Sequence, residues 1–246
     1  MNRRDFMRLG AVSAMAGPEA VACAGRSSGS PLPAGFSAAE VDHLMCGASE
    51  LEEGISHVEK LTGARAVFGG RHPNRGTQNA LLSLGPRQYL EIIAPDPAQA
   101  QLDVREERLA LLKTLSRPRL LTWSAATRNI EAVEKGLVSA GFKSGGIVPG
   151  SRRRPDGRML EWKTLASLGQ GDEVVPFFIE WGKDTVHPAT DSPKGCTLVE
   201  LRLEHPEPEK VNRVLQAMGL EIRATRGPQP RLLARLRSPK GEVELT

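Results

Sequence analysis

Ten consecutive residues, Gly70-Arg71-His72-Pro73-Asn74-Arg75-Gly76-Thr77-Gln78-Asn79, hold the densest set of chemically useful side chains in the sequence. They run straight into two apolar segments, Ala80-Leu84 and Tyr89-Ile93. A Gly/Pro/Arg/His/Asn loop feeding an apolar hairpin reads as the rim of a site. His72 and Arg75 lie in that loop, with Thr77 and Asn79 at the strand entry. Asn79 shares a face with Leu81 and Ser83, where it could orient a carbonyl or a carboxylate. On the next strand, alternation puts Tyr89, Glu91 and Ile93 on one face and Leu90 and Ile92 on the other. A carboxylate in an apolar strand is costly if buried unpaired, so Glu91 needs a metal, an arginine or water beside it. Glu180, in Phe178-Ile179-Glu180, makes the same demand. His43 alternates with Met45 and is either a strand histidine bonded to a backbone carbonyl or a ligand contact. Trp123 reads as a cavity wall whose N–H seeks a partner, and His187-Pro188 as a turn. Arg152-Arg153-Arg154 reads as a solvated loop, with a gate for anions as the alternative.

The elements that must position these residues repeat. Val41 to Cys46 alternates as a strand. Ser49 with Glu52 makes a capping box, and Leu51, Ile55, Val58 and Leu61 recur at helical spacing up to Gly63. Ala64 to Phe68 is a short strand, and the hairpin follows, giving the order βαβββ. The pattern returns with Arg119-Ser124 and a helix ending at Gly141, then with Thr197-Leu203 and a helix ending at Gly219. Glycine readily ends a helix in the left-handed conformation. Three such glycines 78 residues apart, each after a strand and a helix, indicate an internal repeat. The closing strands correspond as Tyr89-Glu91, Phe178-Glu180 and Glu242-Glu244. The middle unit carries an enlarged turn over 150–158, and 106–115 reads as a connecting helix.

The net charge of +4 comes from acids interspersed among bases, without a basic run interleaved with aromatics, so nucleic acid is not implied. No phosphate loop, HExxH, CxxC pair or nucleophile elbow is present. Residues 1–24 read as a twin-arginine-type export signal: Arg3-Arg4-Asp5-Phe6-Met7, a short apolar run, and Ala20-Val21-Ala22 as the cleavage site. The expected location is the periplasm or beyond. Cys23 directly after that site fits a loose lipobox, with Ala20 where leucine is usual. Residues 25–39 read as a tether, and no transmembrane span is expected. Cys46 and Cys196 are expected to be buried and free.

Repeated βαβββ units, with Val41-Asp42-His43-Leu44, the Gly70-Asn79 loop and Tyr89-Leu90-Glu91-Ile92-Ile93-Ala94-Pro95, resemble the glyoxalase-like domain proteins of the vicinal oxygen chelate superfamily. The resemblance implies an α+β fold of repeated βαβββ modules whose cupped mixed sheets surround a cavity. A paired domain would occupy residues 40–196 and a third βαβββ-like module 197–246. It implies a divalent metal (Mn, Fe, Ni or Zn) held by His43, Glu91 and Glu180, with Leu121 where a fourth ligand would stand. A lyase or isomerase of small oxygenated organics follows, with His72 and Asn79 assisting proton movement and Arg75, Thr77 and Trp123 contacting the substrate. The alternative is a metal-free protein that sequesters a small-molecule ligand. The odd number of modules leads to the expectation of a homodimer.

Overall fold

The computed structural model describes residues 40–100, 107–169 and 174–246, all within the unit Leu32–Thr246. The export signal, Cys23 and the tether lie outside the described residues. The first module comprises β1 (Glu40–Gly47), α1 (Leu51–Thr62), β2 (Val67–His72), β3 (Thr77–Gly85) and β4 (Gln88–Pro95). After α2 (Glu107–Thr114) comes the second: β5 (Arg119–Ala126), α3 (Ile130–Ser139), β6 (Lys143–Arg153), β7 (Met159–Leu168) and β8 (Phe177–Trp181). The third is β9 (Thr197–His205), α4 (Pro208–Ala217), β10 (Ala224–Arg226), β11 (Arg231–Ser238) and β12 (Gly241–Leu245). Gly63, Gly141 and Gly219 follow their helices with φ of 79°, 83° and 78°, the left-handed geometry that favours glycine.

Modules one and two form one mixed eight-stranded sheet in the order β2-β3-β4-β1-β5-β8-β7-β6. In each module the first strand runs parallel to the last, β1 with β4 and β5 with β8, and the two first strands pair antiparallel at the centre. Two equivalent halves thus meet back to back. The sheet curls until its edge strands β2 and β6 approach one another. Module three has the same element order but a different strand order, β10-β9-β11-β12, because β9 pairs with β11 rather than with β12. The element order is the one expected at 197–246, and the strand order differs from that of the first two modules.

One face of the large sheet carries the main core. Leu44, Leu82, Leu90 and Ile92 pack there with Ile55 and Val58 of α1. Trp123, Phe178 and Leu165 join Ile130, Val133 and Leu137 of α3, and Leu203, Leu232 and Val214 of module three complete the cluster. Module three thus covers the first two within the chain. The opposite face holds the site, flanked by one apolar cluster around Met45, Ile93, Leu112 and Leu121 and a second of Leu81, Tyr89, Ala189 and Trp181.

Several local expectations change. Residues 70–79 are mostly strand: β2 reaches His72, β3 starts at Thr77, and only 73–76 turn, with Asn74 (φ 59°) and Gly76 (φ 66°) left-handed. Ser49 makes no capping box; its hydroxyl donates to Glu53 (2.9 Å), and Glu50 occupies the N-cap without a side-chain bond. The enlarged turn shrinks because β6 continues to Arg153. Cys46 and Cys196 are free and buried, and burial pushes the Cys46 thiol up to about 12. No helix among the described residues is long and apolar enough to cross a membrane.

Candidate functional site

The site begins with an irregularity in β1. Across the β1–β5 pair, Val41 faces Ala125 and His43 faces Ser124, so Asp42 is an extra residue on its strand. Regular alternation would send adjacent side chains to opposite faces; a bulge re-aims one of them. The Asp42 carboxylate consequently lies 2.7 Å from His43 Nδ1. Its other oxygen accepts from Trp181 Nε1 (2.9 Å) and from His187 Nε2 (3.0 Å). His187 Nδ1 accepts from the Ala189 amide (3.2 Å), which leaves the ring proton on Nε2. Burial opposes ionisation of Asp42, but the bonds from His187 and His43 hold its carboxyl well below the usual range. Because His43 donates from Nδ1, its Nε2 is the nitrogen presented to the site. Tyr89 stacks on that imidazole at 4.6 Å between centroids.

Glu91 sits between two imidazoles. Oε2 lies 3.7 Å from His43 Nε2, and Oε1 lies 3.5 Å from His72 Nε2. Parallel pairing of β1 and β4 places Met45 beside Glu91 and His43 beside Tyr89, so histidine and acid lie diagonally on one face. Asn79 Nδ2 donates to Glu91 Oε1 at 2.5 Å, and Asn79 Oδ1 is buried without a partner. His72 Nδ1 lies 2.9 Å from the Thr77 hydroxyl. With that hydroxyl donating, Nε2–H faces the Glu91 carboxylate; with Nδ1–H donating to the hydroxyl, Nε2 accepts from Asn79 Nδ2 at 3.4 Å. Burial works against the Glu91 charge, yet His72, His43, Asn79 and Arg152 together hold its carboxyl below the ordinary value. Burial lowers His72, and Arg152, Arg108 and Arg75 lower it further against the pull of Glu91.

Two glycines make room for this arrangement. A Cβ at Gly69 would lie 2.6 Å from Asn79 Oδ1 and 2.8 Å from Leu81 Cγ; one at Gly70 would lie 2.5 Å from an Arg152 Nη1. Arg152 is only 4% exposed. Its Nη1 donates to the Gly69 carbonyl across the gap between β6 and β2.

The expected site residues divide. His43, Glu91, His72, Asn79 and Thr77 come together, and Arg75 lies exposed on the adjoining turn. Glu180 does not join them. On β8 it shares the helix-side face with Phe178, accepts from the Ile130 amide (2.8 Å) at the start of α3, and lies 3.4 Å from Lys163 Nζ. Trp123 is no cavity wall: it is fully buried in the helix-side core, donating to the Val174 carbonyl (2.8 Å). Strand register explains both displacements. His43 faces Ser124 across the centre of the sheet, and Ser124 pairs with Phe177 as His43 pairs with Tyr89. The second-module counterparts of His43 and Glu91 are therefore Ser124 and Ile179, neither the Leu121 that the 78-residue spacing picks out nor the Glu180 that matching the closing strands picks out. The Ser124 hydroxyl is buried without a partner.

The metal expectation loses a ligand with Glu180. His72 brings a second imidazole, but Oε1 of Glu91 is already hydrogen-bonded to Asn79. Among the described residues no group of three or more His, Cys, Asp or Glu is arranged to hold an ion. The residues as placed do not fit the expected metal.

Asp42, His187 and Trp181 carry parts that the sequence did not point to, and Arg152, expected in a solvated loop or an anion gate, is buried beside β2. A bulge leaves no trace in hydrophobic periodicity, and Arg152 is hidden in a run of three arginines. An acid beside a histidine on an otherwise apolar strand was the available signal for Asp42.

The chain matches the family model described as "Glyoxalase-like domain" over residues 41–219. No protein of curated function gives a match. Among solved structures, a hypothetical protein from Staphylococcus aureus is 15% identical, with a TM-score of 0.61 over 78% of this chain and 88% of that one. Methylmalonyl-CoA epimerase from Mycobacterium tuberculosis is 18% identical, with a TM-score of 0.41 over 57% of this chain and 86% of that one. A Streptomyces coelicolor methylmalonyl-CoA epimerase is 15% identical, with a TM-score of 0.41 over 61% and 99%. The Staphylococcus likeness is one of fold.

Proposed function

The chain belongs to the glyoxalase-like domain family of the vicinal oxygen chelate superfamily, and from that premise we propose that it is a lyase or isomerase that moves a proton on a small oxygenated organic molecule. One observation carries this reading: a buried carboxylate, Glu91, lies within 3.7 Å of two imidazole nitrogens, one of them oriented by Asp42. Such a group is poised for general acid–base work, with its charge and direction fixed before the substrate arrives.

Glu91 is the base. It is held ionised in a buried place, so it can take a proton from a carbon beside a carbonyl. His72 Nε2–H and Asn79 Nδ2–H are the donors for the enolate oxygen that develops as the proton leaves. His43 relays or returns the proton, its other nitrogen anchored on Asp42 so that Nε2 stays aimed at Glu91. The unpartnered Asn79 Oδ1 accepts from a substrate hydroxyl, which favours a hydroxy-carbonyl compound. Apolar Phe177, Tyr89 and Met45 keep the surroundings poor in water, strengthening each of these interactions.

The test uses a class of compounds rather than a single substrate. A panel of 2-oxo and 2-hydroxy carbonyl compounds in D2O is followed by proton NMR for loss of the signal next to the carbonyl. Exchange in the wild type, reduced about 100-fold or more in Glu91→Gln, is the expected result. Exchange untouched by Glu91→Gln would overturn the assignment. Binding without exchange would favour the metal-free sequestering role instead. One Mn, Fe, Ni or Zn per purified chain, lost in His43→Ala, would overturn a route that does without a metal.

A further inference from the structure

We infer that the ligand of this site is a small organic anion whose carboxylate pairs with the Arg152 guanidinium. The inference rests on the proton-transfer reading and adds to it the charge of the molecule that enters. Arg152 is one of very few charged side chains brought inside the fold, at 4% exposure. A guanidinium carries five N–H donors in a planar fork. Here one nitrogen is bonded to the Gly69 carbonyl, and no other hydrogen bond of Arg152 is found among the described residues. Burying such a group without a full set of partners is costly, and the glycine at position 70 is the condition for its being there at all, since a Cβ would collide with the Nη1.

Counting charges points the same way. Asp42 is occupied by His43, His187 and Trp181, whereas Glu91 feels the charge of Arg152. Arg152, Arg108 and Arg75 each lower His72, against the pull of Glu91. Arg75 and Arg108 are exposed, whereas Arg152 lies inside. Of the three, Arg152 is the buried planar fork that can receive an anion inside the fold. A carboxylate is the natural occupant, because its two oxygens match adjacent guanidinium N–H groups. The carbon next to that carboxylate then belongs near Glu91, whose own charge Arg152 also stabilises.

The probes are pyruvate, glyoxylate and oxalate, each against a neutral counterpart: methyl pyruvate, methyl glyoxylate and oxamide. Binding to the full chain is followed by two-dimensional amide NMR. The expected result is that the acids shift the Gly69, Gly70 and Asn79 signals and bind about 10-fold or more tightly than the neutral forms. Their affinity should fall as salt is raised. Arg152→Gln should lose the preference for acids, Arg152→Lys should keep part of it, and Glu91→Gln should bind acids at least as well as wild type. Thermal melts establish that each variant is folded, and Arg152→Lys carries the test if Arg152→Gln is not. Neutral forms binding as well as acids, or a folded Arg152→Gln with unchanged preference, would overturn the inference. Exchange on neutral carbonyl compounds without binding of acids sinks the anion and spares the proton-transfer reading. Acids held through Arg152 with no exchange on any compound would do the reverse.

Discussion

The two halves of the large sheet are built alike and equipped differently. Each runs strand, helix, three strands, and each pairs its first strand parallel to its last. In the first half the inward positions near the centre are His43, Tyr89 and Glu91; in the second they are Ser124, Phe177 and Ile179. The first module thus brings the titratable groups and the second closes over them with aromatic and aliphatic surface, including Phe177 against His43 at 5.5 Å. Duplicating a backbone does not duplicate its chemistry. One working half and one covering half are enough to bury a reactive carboxylate, and the covering half also supplies Arg152 and Trp181 from its own strands.

The sharpest way to break this contrast is to remove the acid from the equipped half. Glu91→Gln should reduce proton exchange by about 100- to 10,000-fold, read by NMR in D2O on protein shown by thermal melting to be folded. Next in size is Gly69→Ala. Its methyl would press on Asn79 Oδ1 and Leu81, so Asn79 must leave Glu91; exchange should fall at least about 10-fold and stability by about 1–3 kcal/mol in urea titration. Unchanged kinetics in a folded Gly69→Ala would show that Asn79 is not needed.

Acidity sharpens the same contrast. Asp42 and Glu91 both have carboxyls lowered on folding. The stability they contribute is present above the ordinary carboxylate pKa near about 4 and is lost as pH falls through their lower folded values. His72 is lowered as well, so its contribution is complete above about 6.5 and is lost on acidification below that. Melting temperature should decline in two stages between pH 8 and 3. His72→Asn should erase the upper stage; its survival in that variant would assign it to another group. The smallest effect belongs to the covering half. Glu180→Gln, losing charge at the start of α3, should cost about 1 kcal/mol or less and leave exchange alone. Loss of exchange in that variant would place Glu180 back among the reactive groups.

How much of this was legible in the sequence follows from what periodicity records. The three helix-ending glycines and the alternation in β4 are local signals, and they located the modules and the faces of Glu91 and Ile92. Trp123 lies on the other face because even spacing between helix ends does not carry over to strands that contain bulges, and Glu180 because matching Phe178-Ile179-Glu180 to Tyr89-Leu90-Glu91 is one residue out of the register that pairs Ser124 with Phe177. The register slips at Asp42 and again between Met45 and Cys46, and one residue of slip exchanges the faces. Arg152 was legible only as one of three adjacent arginines, read first as a solvated loop and alternatively as an anion gate, because only the approach of β6 to β2 buries the first of them.

That approach has a mechanical outcome. Along β2 and β6 the curled sheet is fastened at Gly69 by one cationic side chain, with no backbone ladder between the two edges. A clasp of that kind can release without tearing any strand pairing, so the wall beside Asn79 and Glu91 can part locally while the rest of the sheet holds its shape. Amide hydrogen exchange over 67–72 should accordingly be the fastest of any strand in the first half, and an occupant that grips Arg152 would draw the clasp shut or prise it open depending on which nitrogen it takes.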